Sequence, residues 1–107
     1  MNRRVSKASW DRIFLHARKL WNQFDPIGVV ALTEADDEYD HYAGEAALLA
    51  TKLAAEDEFQ ASAKNAVYQR MGLSTPVTLV ESFGSVLHRE LVGAVTEIVD
   101  RDDLFEN

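Results

Sequence analysis

Cysteine is absent from all 107 residues, so the chain has no disulfide, no thiolate metal ligand and no thiol nucleophile. The absence also argues against the cross-linked scaffold of a small secreted domain, and a cytoplasmic protein is the natural expectation. Glycine is sparse, and the five glycines stand singly at 28, 44, 72, 84 and 93, so no glycine-rich phosphate loop can be built. Long apolar runs are missing as well. Nothing reaches the ~20 apolar residues that a membrane-spanning helix needs. Arg3 and Arg4 imitate the basic start of a signal peptide, but Val5 to Asp11 supply no apolar segment behind them.

Basic residues are scarce too: 11 against 18 acidic ones, for a formal charge of -7. A phosphate backbone repels such a chain, so no nucleic-acid partner is expected. The charge is also unevenly spread. Residues 1–24 carry Arg3, Arg4, Lys7, Arg12, Arg18 and Lys19 against Asp11 alone, residues 25–60 carry ten carboxylates against Lys52 alone, and residues 61–107 carry seven acidic groups against four basic ones. Two consequences follow: the basic helix packs beside the acidic segment, or one pole faces a partner of opposite charge.

What the chain does have is helical periodicity, with 47% hydrophobic residues, enough for one core in a single domain spanning 1–107. Trp10, Ile13, Phe14, Ala17, Leu20, Trp21 and Phe24 recur at steps of three and four, which predicts a helix over about 9–24 with Arg12, Arg18, Lys19 and Asn22 on its solvated face. Pro26 disfavours helix in the residue before it, and Asp25-Pro26-Ile27-Gly28 fits a type I turn position by position. Val29 to Leu32 is apolar and too short for a helix, and reads as an irregular extended segment.

Thr33-Glu34-Ala35-Asp36 resembles a capping box and predicts a second helix over 34–54. Its stripe is Tyr39, Tyr42, Ala43, Ala46, Leu49, Ala50 and Leu53, with Gly44 and the alanines permitting a close helix contact. A third helix is predicted over 57–71, opened by Glu56-Asp57-Glu58, lined by Phe59, Ala63, Ala66, Val67 and Met71, and stopped by Gly72. Thr75-Pro76 signals a fourth over 76–100, with the Thr75 hydroxyl as cap and Val80, Phe83, Leu87, Leu91, Val95 and Ile98 inward, unless Gly84 breaks it. Residues 101–107 read as a tail. The fold class is all-α: a compact bundle of about four helices with an irregular segment between the first two.

Chemistry concentrates in Asp36-Asp37-Glu38-Tyr39-Asp40-His41-Tyr42. An EF-hand loop starting at Asp36 would need glycine where His41 stands and a bidentate glutamate where Ala47 stands, so it fails twice. On a helix, Asp36 and Asp40 share a face, as do Asp37 and His41, which makes a weak surface cation site conceivable. Carboxylates in a first helical turn also complement the helix dipole, which needs no ligand at all. His16, His41 and His88 form no zinc-binding unit, and Ser82-Phe83-Gly84-Ser85 is no nucleophile elbow.

Trp21, Asp25-Pro26-Ile27-Gly28-Val29, Asp37-Glu38-Tyr39-Asp40 with Tyr42, and Met71-Gly72-Leu73 together resemble a group of small bacterial proteins with a domain of unknown function. Its members show Trp-Asp-Pro-Ile-Gly-Val and Asp-Glu-Tyr-Asp-Ser-Tyr, where this chain has Phe24 for the tryptophan and His41 for the serine. The likeness covers roughly residues 13–73. It implies a compact all-helical fold and carries no catalytic residue across.

The sequence thus describes a non-enzymatic cytoplasmic protein-interaction module, of which an immunity or antitoxin-like inhibitor is one form. Its expected surface is Asp36, Asp37, Tyr39, Asp40 and His41, facing a protein partner of basic character, with no cofactor, metal or catalytic residue and no membrane association. Two other readings stay open. One is a small metal-assisted hydrolase using Asp36, Asp37, Asp40 and His41; the other is a homodimer built on Val29 to Leu32 or on the aromatic stripe.

Overall fold

Ser6 opens the first helix two residues earlier than the apolar stripe implies, because its hydroxyl accepts the Ser9 backbone N–H at 3.1 Å. The computed structural model describes residues 5–27 and 39–100, with the side chains of Val99 and Asp100 excepted. Within these residues the fold is an all-α bundle of four helical rods. They are α1 (Lys7–Phe24), α2 (Asp40–Thr51), a third rod made of α3 (Glu56–Lys64) and a π-helical turn (Asn65–Arg70), and a fourth made of α4 (Val77–Leu87), a second π-helical turn (His88–Val92) and α5 (Gly93–Asp100). The expected features at Gly28, Val29 to Leu32, the capping box and the 101–107 tail lie outside the described residues.

α1 packs mainly on α2 and α3 mainly on α4, while the His88–Val92 turn touches α1, α2 and α3 and so joins the two pairs. The core between them is Ile13, Ala17 and Trp21 from α1, Ala43, Ala46, Ala47 and Ala50 from α2, Phe59, Ala63 and Val67 from the third rod, and Val80, Phe83, Leu87, Leu91, Val95 and Ile98 from the fourth. The inward faces of helices one, three and four are those the periodicity predicts. The buried alanines of α2 let the neighbouring rods approach closely.

Both π turns have a cause in the apolar spacing. Phe59, Ala63, Val67 and Met71, and again Phe83, Leu87, Leu91 and Val95, follow one another at four-residue steps. In an α-helix each such step over-rotates by about 40°, so a long run would wind off the core. A local turn bonded i to i+5, as Met71 N–H to Ala66 O at 2.9 Å, is wider and brings the stripe back. Gly84 does not break the fourth rod. It lies buried where α4 crosses α3, and a Cβ there would stand 2.6 Å from the Gln60 Cα. At Gly44, where the sequence suggested a close contact, a Cβ would meet only the Phe14 ring at an ordinary 3.9 Å.

Helix boundaries depart from expectation elsewhere too. The expected start of the second helix at 34 lies outside the described residues; the helix described begins at Asp40, because Tyr39 has φ -104° and ψ 13° and stands outside it as the cap. It ends at Thr51 rather than 54, because Leu53 takes the left-handed conformation at φ 53°. The N–H of Leu53 then bonds the carbonyl of Ala50, and that of Ala54 the carbonyl of Leu49, which closes the helix in a Schellman arrangement. This turns the Leu53 side chain out to 57% exposure, against the inward position its spacing suggested. In the fourth rod, Pro76 is itself the cap; no side chain caps this end, and the Thr75 carbonyl instead accepts the Tyr68 hydroxyl.

Leu53 supplies a direct test. A left-handed backbone strains any residue with a Cβ, so Leu53→Gly is expected to raise stability by about 0.5–1 kcal/mol in urea unfolding. A loss of stability would show that the exposed leucine contributes more to the fold than its backbone strain removes.

Candidate functional site

The acidic motif singled out in the sequence divides into a buried clasp and an exposed edge. Asp25 ends α1 at φ 42°, in the left-handed region that an aspartate tolerates better than most residues, and its N–H bonds the Trp21 carbonyl at 2.8 Å. That conformation was not foreseen from the turn pattern. The Tyr39 hydroxyl donates to Asp25 Oδ1 at 2.6 Å and accepts the Ile27 N–H at 3.0 Å. One phenol thereby ties the end of α1 to the residue that precedes α2.

Tyr39 is 0% exposed, stacked on Trp21 at 5.7 Å between ring centres. Tyr42 lies 5.5 Å from the same indole, Phe83 meets it edge-on at 4.7 Å, and Phe24 stacks on Phe83 at 4.2 Å. A carboxylate and a phenol at 2.6 Å could in another setting form an acid–base pair. Here Tyr39 is fully buried, and the pair fastens the end of α1 to the start of α2. The expectation that Tyr39 presents a binding surface is therefore corrected: the ring completes the aromatic core.

Asp40 is bound by Arg18, with Nε to Oδ1 at 2.8 Å and Nη2 to Oδ2 at 2.6 Å, both side chains about three-quarters buried. This two-point geometry makes the pair stronger than a solvent-exposed one and explains why Arg18, read as part of a solvated face, is not. The basic helix does pack against the acidic segment at this point. A cation at Asp40 would have to displace a guanidinium already engaging both oxygens. His41 is exposed, with Nε2 3.3 Å from Glu45 Oε1. Asp36 and Asp37 lie outside the described residues. Among the described residues no group of three His, Asp or Glu side chains could hold a metal ion, and no helix is long and apolar enough to cross a membrane.

Removing only the Tyr39 hydroxyl tests the clasp. Tyr39→Phe keeps the ring and removes the hydroxyl's bonds to Asp25 and Ile27, for an expected loss of about 1 kcal/mol in denaturant unfolding. An unchanged midpoint would mean that water replaces the hydroxyl without penalty.

The second feature was not read from the sequence. A shallow groove of about 430 Å3 runs between α2 and α3, lined by Glu45, Leu48, Leu49, Glu58, Ala61 and Ser62. Leu48 is 48% exposed there. Glu45 receives Arg70 and His41, both at Oε1, and Arg70 is itself held over the Tyr42 ring at 4.8 Å. Glu58 Oε2 accepts the Ala55 N–H at 3.0 Å and so starts α3 without a capping hydroxyl. The available signal was Leu48 itself, an apolar residue just off the inward stripe. No protein family, curated protein or solved structure matches the chain.

Proposed function

We propose that the protein is a non-enzymatic cytoplasmic interaction module that binds a basic protein partner, in the manner of an immunity or antitoxin-like inhibitor. The observation that carries this reading is the run of exposed carboxylates Glu56, Asp57 and Glu58 at the start of α3, of which Glu58 lines one groove with the exposed Leu48. Apolar area supplies affinity on release from water, and the carboxylates steer a basic partner into place. The Asp36 to His41 motif contributes differently than first expected. Tyr39 and Asp40 hold the bundle, while His41 stands at its edge near Glu45. On this reading Tyr39 and Asp40, in the motif that resembles that of the small bacterial proteins, form a clasp.

Affinity purification of the tagged protein from its native host tests the proposal. A basic protein should be recovered at low salt and released as the ionic strength rises, because exposed charges are screened beyond about 10 Å at 0.1 M salt. Recovery of the protein alone under mild salt would overturn it. Calorimetric titration with calcium, magnesium, manganese and zinc discriminates the metal-assisted hydrolase, which requires a saturable heat from at least one of them.

A further inference from the structure

We propose that the groove between α2 and α3 is where this partner docks, and that the docking element is an amphipathic helix with leucine-like side chains on one face and lysine or arginine beside them. The proposal rests on the interaction reading above and names its surface. Leu48, Leu49 and Ala61 form an apolar floor between two helices, the shape into which the ridge of a third helix fits. Glu45 and Glu58 are the charged residues in its lining, and both are acidic.

Each of these carboxylates retains capacity for a cation. Arg70 and His41 both approach Oε1 of Glu45, and the Ala55 N–H occupies Oε2 of Glu58, so among the described residues the other oxygen of each has no partner. A lysine or arginine reaching over the floor would meet a carboxylate oxygen already oriented by its neighbours. Charge also separates the occupants. An anionic ligand would meet two carboxylates, and a second copy placed groove to groove would set acidic rims against each other. By contrast, the groove of Leu20, Gln23, Phe24, Leu79, Ser82, Phe83 and Val86 between α1 and α4 has no charged lining residue, so nothing there selects an occupant.

The probe is a fluorescent peptide of about five helical turns with leucines on one face and lysines beside them. Two companions replace either the lysines by glutamate or the leucines by serine. The leucine–lysine peptide should bind the full-length protein in anisotropy titrations, and both companions should bind at least about tenfold more weakly. Ala61→Arg fills the exposed floor with a cation and should weaken binding by about tenfold or more, whereas Gln69→Arg, an equal charge change two turns along at an exposed site, should leave it within about twofold. Leu48→Ser, at a half-exposed position, repeats the test should Ala61→Arg fail to fold by circular dichroism.

No binding to the unmodified protein, equal binding of either companion, or equal binding to the folded groove variants would overturn the assignment. A basic partner that co-purifies equally well with the folded groove variant would remove the groove and leave the interaction reading standing. The two failures are thereby distinct.

Discussion

Trp21→Ala is expected to destabilise the protein by about 3–5 kcal/mol, the cost of emptying a large aromatic site in a packed core. The indole is 1% exposed and touches Tyr39, Tyr42, Phe24 and Phe83, so it joins α1 to the start of α2 and to α4 at once. Its loss leaves a cavity that three elements would have to move to fill. Trp21→Phe should cost much less than that. Among the described residues the buried indole N–H has no hydrogen-bond partner, so replacing it gives up no bond to them and removes a desolvated donor. Urea unfolding of both variants checks the pair. If phenylalanine proved as damaging as alanine, indole shape rather than aromatic burial would be what the site requires.

Gly84→Ala is expected to lower stability by about 1–3 kcal/mol, although alanine is the better helix former by about 1 kcal/mol. The sign follows from where the methyl group would go: 2.6 Å from the Cα and 2.9 Å from the backbone N of Gln60. Backbone cannot rotate aside as a side chain can, so α3 and α4 must separate. Separation would also stretch the polar seam beside the glycine, in which Gln60 donates to Ser85 Oγ at 2.9 Å and Lys64 pairs with Glu81 at 2.6 Å. Gly93→Ala is the matched comparison. It is a helical glycine with open space around it, and should gain stability by about 0.5–1 kcal/mol. Thermal melts of the two should therefore move in opposite directions; a rise in both would show that the α3–α4 contact yields easily.

Much of the architecture was legible because it is periodic. The inward residues of α1, from Ile13 to Trp21, and of the fourth rod, from Val80 to Ile98, are those that recur every three or four positions. Local stops were legible for a similar reason. Pro26 ends α1 after Phe24, and Gly72, at φ 69°, ends the third rod. The π turns could have been read from the runs of four-residue steps, which an unbroken α-helix cannot keep on one face. The left-handed Leu53 had no such mark, since leucine is a residue that backbone sterics argue against there.

The candidate site was less legible because its parts are distant in sequence. Asp25 and Tyr39 are fourteen residues apart, Arg18 and Asp40 twenty-two, and each pair forms only when α1 and α2 lie side by side. A run of carboxylates therefore looked like one surface when two of its residues serve as internal fastenings.

The sequence by itself determined an all-α chain, the faces its helices bury and the absence of thiol chemistry, since these depend on residue type and on spacing along one helix. Tertiary structure alone decided that Tyr39 is core, that Arg18 leaves the solvated face for Asp40, that Gly84 rather than Gly44 marks the close crossing, and that Glu45 and Glu58 flank one groove. The physical reason is that burial, ion pairing and groove shape depend on the distance between helices, which no local periodicity encodes.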